Sequence, residues 1–399
     1  MRFLIMCCAC ILIYNVQLFA LPQFSLISGN RCSSCHVNSQ GSGLRNDLGW
    51  YSYRDVGAFN PENINAESLW GLQDSIRSMI GNKGNIGFDM RLQLIRSRNE
   101  SKEQRILPMQ MSIYGSYQLL PWLQAEGNYN IGPVRYAGQQ SWSASVIVQS
   151  DNSLPQLRLG FFQPTIGIRY DDHTMMIRQL SAGWLNENVI TPYNSMTILA
   201  PYFSAAGAEF TYESIHELTV NAGIFSNATA QQNSVSNVEN GSLMYSARAV
   251  YWPRFSDNTI NTYIGTSILH NQDFSLINAF MGIGLTDKLS FMVDMSLSDL
   301  QDISSRKMPL INNTREKGKN TSYLAEITWQ ATSWFLPFTR FEYSELIVNN
   351  SYQSIIKQMV FGAQVFPLPN IEIRPEYRIF DTSAPGYISR WGAQLHLYY

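Results

Sequence analysis

Ile86-Gly87-Phe88-Asp89-Met90-Arg91-Leu92-Gln93-Leu94 places an apolar side chain at every even position and Gly, Asp, Arg or Gln at every odd one. Successive side chains of an extended strand point to opposite faces, so this stretch has one greasy face and one polar face. The same period of two returns at Leu157 to Phe161, with Arg158 and Gly160 between the apolar positions. It returns again at Tyr323, Ala325, Ile327 and Trp329, and at Ile371, Ile373, Pro375, Tyr377 and Ile379, where Glu372, Arg374, Glu376 and Arg378 fill the polar face. Apolar-out, polar-in strands of about ten residues predict a transmembrane β-barrel. A β-sandwich also alternates, but its strands run nearer about five or six residues.

Outward from these strands, the connections alternate in length. Short links fall near Leu119-Leu120-Pro121, Asp151 to Leu154, His216-Glu217, Thr286 to Lys288, Ala331 to Ser333 and Pro367 to Asn370. Long polar ones fall between them, at about 133–141, 164–205, 227–241, 300–319 and 346–354. Short periplasmic turns and longer outer loops are what an outer-membrane barrel requires, and this count gives about 16 antiparallel strands. Trp122, Trp252 and Trp334 sit beside predicted periplasmic turns, where an aromatic girdle belongs. The chain closes on Trp391, Ala393, Leu395, Leu397 and Tyr399, an apolar alternation with a terminal aromatic.

Composition agrees. The 399 residues are 15% charged, against about 25% for an ordinary soluble domain. With 28 Lys+Arg against 30 Asp+Glu there is no basic footprint, so nucleic acid is not an expected partner. Past the N-terminus no apolar run approaches the roughly 20 residues of a transmembrane helix. The N-terminus itself has Arg2, an apolar run from Phe3 to Tyr14 and a small residue at Ala20, which predicts a signal peptide over 1–20.

Of five cysteines, Cys7, Cys8 and Cys10 would leave with that signal. The mature chain keeps Cys32 and Cys35, followed at once by His36. In an exported protein, Cys-Ser-Ser-Cys-His reads as an attachment site for one covalent haem c. Two thiols three apart reach the two vinyl groups, and the adjacent imidazole becomes the proximal iron ligand. A disulfide would close only a tiny loop and would need no histidine after it. A thioredoxin-like site would need a βαβ context. Structural zinc would need a second pair of ligands.

The haem segment, 21–84, is short beside the barrel at 85–399. The pattern predicts a helical turn over Leu44 to Trp50 and a helix from about Ala66 to Ile80, stopped by Gly81-Asn82-Lys83-Gly84. So little chain cannot bury a haem alone, and the walls of the site must come partly from elsewhere. From Val37 to Ser78 there is no His, Met or Lys to serve as sixth ligand. The candidates are Met79, His173 in the longest loop, and His396, expected to face inward near the periplasmic mouth. His216 and His270 are less well placed, and water or an open position is the remaining choice.

Pro22, Phe24, Gly29, Cys32, Cys35, His36 and Gly49, followed by a barrel, resemble the fused monohaem cytochrome–porin proteins of the outer membrane, known best from iron-oxidising bacteria. The resemblance implies a cytochrome segment housed by a porin. It also implies oxidoreductase activity, with electrons passing between an extracellular partner such as iron and periplasmic carriers. The run Val37-Asn38-Ser39-Gln40-Gly41-Ser42-Gly43-Leu44-Arg45-Asn46 departs from the iron-oxidising arrangement and looks more like other exported cytochromes. Physics favours a conduit independently, because a hydrocarbon core of roughly 30 Å is too wide for useful single-step tunnelling without a redox centre in it or at its rim. The competing expectation is a diffusion porin whose haem segment serves as plug or redox sensor.

Overall fold

The computed structural model describes residues 22–36, 45, 49, 56–64, 79–80, 83–97, 105–130, 142–151, 154–168, 204–213, 217–226, 243–253, 255, 259–272, 274–286, 288–300, 317–348, 352–382 and 387–398. The predicted signal peptide and His173 and His216 lie outside these residues, as does most of the helix expected before Ile80. Two short helices come first, α1 (Pro22–Ser28) and the single turn α2 (Cys32–Cys35). Then come β1 (Gly84–Ser97), β2 (Arg105–Leu120), β3 (Leu123–Asn130), β4 (Trp142–Val148), β5 (Gln156–Phe162), β6 (Ala205–Tyr212), β7 (Leu218–Ser226) and β8 (Leu243–Tyr251). The second half holds β9 (Ile260–Asn271), β10 (Phe274–Leu285), β11 (Leu289–Leu300), β12 (Gly318–Trp329), β13 (Phe335–Val348), β14 (Tyr352–Leu368), β15 (Ile371–Thr382) and β16 (Tyr387–Tyr398).

Each strand pairs antiparallel with the next, and β16 pairs back on β1 from Arg390 opposite Ser97 to Tyr398 opposite Asp89. The sheet is therefore a closed barrel of sixteen strands with no free edge. Met79–Ile80 adds two paired residues beside β1. This corrects the helix expected to run to Ile80. Gly84, the last residue of the expected stop signal, instead lies in β1 opposite Ile80. The expected loop at 346–354 is likewise shorter, because β13 runs to Val348 and β14 starts at Tyr352.

The alternation decides which face is which. Ile264 and Ile268 on β9, Ile277 on β10, Phe291 and Leu297 on β11, Ile327 on β12, Phe341 on β13, Phe361 on β14 and Ile373 on β15 all point outward and are exposed. So wide an apolar band is an aggregation liability in water and the required surface in lipid. The inward positions are polar and paired. Arg340 reaches Glu342 at 2.5 Å and Glu326 at 3.4 Å, and Arg91 binds both carboxylate oxygens of Asp89 at 3.1 Å. All the long connections lie at one end of the barrel. The other end carries both termini of the sheet and the tight links Pro121-Trp122, Thr286 to Lys288 and Pro369-Asn370, which makes it the periplasmic end. Thr286 and Asn370 turn there with positive φ, a conformation Asn tolerates well.

Trp122 and Trp334 are exposed beside their turns, as an aromatic girdle requires. Trp252 is not. It lies one residue beyond the end of β8 and folds inward onto Tyr263, ring centroids 5.3 Å apart.

Candidate functional site

Proline opens α1, where its missing N–H costs nothing, and Gly29 closes it with φ +71°, a left-handed turn suited to glycine. Three side chains of this one helix are almost wholly buried, Phe24, Leu26 and Ile27. Phe24 and Ile27, three apart, share a face and pack with Val56, Leu336, Phe366, Tyr398 and Cys35. Leu26 points the other way, into Val250, Tyr263, Phe280, Met292 and Ile168. Leu336, Phe366 and Tyr398 are inward residues near the periplasmic ends of β13, β14 and β16, whereas Val250, Tyr263 and Met292 belong to β8, β9 and β11. The helix therefore bridges two walls of the lumen at its periplasmic mouth.

The chain then places Cys32, Cys35 and His36 in the same region. Cys32 and Cys35 face one way from a single helical turn, both are buried and no disulfide joins them. Burial pushes the Cys32 thiol up to about 11, against the opposing pull of the Arg248 guanidinium, so the unmodified thiol is a poor nucleophile. His36 leaves the turn in extended conformation and is buried, and its backbone pairs with Arg45. Gly49 crosses directly over Cys35. A Cβ on it would lie 2.0 Å from the Cys35 carbonyl oxygen, so only glycine fits. Two unjoined thiols three apart, an imidazole directly after them and an apolar surround are the donor set and setting that a covalent haem c needs, and the residues present fit that group.

The sixth-ligand candidates separate. His396 is inward and buried near the periplasmic mouth, close to the motif: its ring lies 4.6 Å from that of Tyr398, which also carries Arg45 over its face at 4.4 Å. Both ring nitrogens are engaged. Nδ1 lies 2.9 Å from Glu372 and Nε2 lies 3.3 Å from Asp89, on the two flanking strands. Each ring nitrogen thus faces a carboxylate, and these carboxylates compete with iron for the ring. Met79 pairs in extended conformation with Asn85 of β1, not at a helix end, and His270 points outward from β9 into the exposed face.

One part of the site has no counterpart in the sequence reading. Directly after β5 the chain turns into the lumen over residues 163–168. Glu209 accepts hydrogen bonds from the Thr165 backbone N–H and hydroxyl, the Gly167 N–H donates to Ser267 at 3.0 Å, and Arg248 Nε donates to the Gly167 carbonyl at 2.8 Å. Ile168 then meets Leu26. The available signal is the small-residue run Ala205-Ala206-Gly207-Ala208 before Glu209, which leaves room inside the wall for a second layer of chain.

No protein-family model and no curated protein matches the chain. Solved structures do. OmpT of Vibrio cholerae superposes with a TM-score of 0.51 at 12% identity, over 80% of this chain and 99% of that one. A porin superposes with a TM-score of 0.50 at 9% identity, over 79% and 100% of the two chains. At such identities the likeness concerns the fold alone: a sixteen-stranded barrel of the outer-membrane porin type, to which this chain adds a helix and a Cys-Ser-Ser-Cys-His turn in the lumen mouth.

Proposed function

We propose that this chain is an electron-transfer protein of the outer membrane, carrying one covalent haem c at the periplasmic mouth of a porin-type barrel and resembling the fused cytochrome–porin proteins. On this reading residues 1–20 are a cleaved signal, 21–84 the haem segment and 85–399 the barrel. Electrons pass between an extracellular donor or acceptor, with iron as one candidate, and soluble periplasmic carriers. The observation that carries the reading is the placement of Cys32, Cys35 and His36 on one buried turn packed against the lumen wall.

When bound, the haem supplies a one-electron carrier. The chain's own residues do the rest. Cys32 and Cys35 would tether the group, and His36 would hold its iron. Phe24, Ile27, Val56, Leu336, Phe366 and Tyr398 keep water from the attachment turn, and a dry, low-dielectric surround lets ligands and nearby charges set the potential. Gly49 lets a second strand of chain close over Cys35. Arg45, stacked on Tyr398, joins the segment to the barrel wall.

The test is the double variant Cys32→Ser/Cys35→Ser. Haem-dependent peroxidase staining of the outer-membrane band should be lost, while the barrel still inserts and keeps heat-modifiable mobility. Undiminished staining would overturn the haem assignment. The second reading, a diffusion porin with the N-terminal segment as plug, draws on the porin fold itself, and liposome swelling with small sugars separates it from the first.

A further inference from the structure

An inward apolar side chain is out of place in a porin-type barrel, whose interior is polar and wetted. This lumen has two patches of them at the periplasmic mouth, one on β8 to β11 and one on β13, β14 and β16, and the three large apolar residues of α1 fill the space between. The wall is also cut to the helix. Gly282 and Gly284 are successive inward positions of β10, and a Cβ at Gly284 would lie 2.1 Å from the Leu26 carbonyl oxygen. A Cβ at Gly282 would lie 2.5 Å from the Tyr263 ring and 2.7 Å from Leu26 Cδ1, so this glycine seats both the wall tyrosine and the helix residue packed on it. The same carbonyl accepts a hydrogen bond from Asn261 Nδ2 at 2.9 Å, and on the far wall Gln23 donates to Gln364 at 3.2 Å.

We propose that Gly282 and Gly284 form a notch that locks α1 across the periplasmic mouth, sealing the barrel to small solutes. The seal goes beyond the electron-transfer reading and stands whether or not haem is attached. Ile168 of the inward-turned segment belongs to the same buried cluster as Leu26. A barrel sealed in this way moves no nutrient by diffusion.

The experiment compares wild type with Gly284→Leu, both refolded into liposomes and checked for heat-modifiable mobility, in swelling assays with arabinose. Wild-type vesicles should swell no faster than protein-free ones. Gly284→Leu displaces Leu26 and should swell several-fold faster. Gly392→Ala is the control, since it adds a methyl to the same lumen with nothing nearer than 3.4 Å and should stay closed. Should Gly284→Leu fail to fold, Gly284→Ala decides, because its methyl alone meets the Leu26 carbonyl. Fast swelling by wild type overturns the seal. A folded Gly284 variant that stays closed, or a leaking Gly392→Ala, overturns the notch.

Discussion

An imidazole pinned between two carboxylates is chemically unlike one reaching into open space, and this distinction sorts the histidines. His396 sits between Glu372 and Asp89, and Arg91 in turn grips Asp89. Truncating it leaves two buried acids without their shared partner, an effect of about 3–5 kcal/mol on the wall where a buried ion pair is broken. On the proposed haem reading, the same change should leave the iron's spectrum as it was. His173→Ala should instead turn a low-spin optical and EPR spectrum high-spin if that loop supplies the sixth ligand, while His396→Ala keeps the spectrum and lowers only the temperature at which the barrel loses heat-modifiable mobility. A high-spin conversion in His396→Ala would refute this assignment.

Between residues and molecule stand the strands and loops, and here the sequence was legible wherever one physical rule acted alone. Strands such as β1 and β15 alternate because lipid lies on one side and polar lumen on the other, so period, facing and number could all be read. The rule breaks where a third layer intrudes. Phe280 beside Met281, Met292 beside Val293, Leu336 beside Phe335 and Phe366 beside Val365 put apolar groups on both faces of their strands, because α1 packs inside. Read alone, such doublets blur the period. Read together, they mark the seat of something buried in the barrel, as does the small-residue stretch at Ala205 to Ala208. Trp252 was misplaced for the same reason, its ring belonging to that seat and not to the lipid interface. The Cys-Ser-Ser-Cys-His motif was legible from spacing, whereas the notch at Gly282 and Gly284 was not, since glycine alternates in many barrel strands. Topology follows from the element lengths: an epitope inserted near Asn194 should bind antibody on intact cells, and one in the turn at Thr286 to Lys288 only after permeabilisation. Reversed labelling would invert the barrel. Silence at Asn194 combined with labelling after limited unfolding would place that loop wholly inside.

At the scale of the whole molecule, two assemblies are folded into one chain. Strand pairing closes between β16 and β1, and the sixteen-stranded ladder needs no residue before Gly84. The N-terminal segment contributes through burial. Phe24, Leu26 and Ile27 are nearly inaccessible, and at about 1.5–3 kcal/mol for each large apolar side chain their seating is worth roughly 5–9 kcal/mol. Backbone hydrogen bonds from Ala58 and Phe59 to the end of β14 add to it. Folding and plugging should therefore separate. A chain lacking residues 22–64 is expected to insert into the outer membrane and keep heat-modifiable mobility, because ladder closure is intact. It should lose that mobility at a lower temperature than the full chain, because two apolar patches are left facing water. It should also bind an apolar dye such as ANS in proportion to barrel concentration, and a synthetic peptide of residues 22–36 added in trans should displace the dye. The same variant with Phe366→Ser and Tyr263→Ser should bind neither dye nor peptide. If deletion abolished insertion, the segment would be a part of the folding nucleus and the two assemblies would be one.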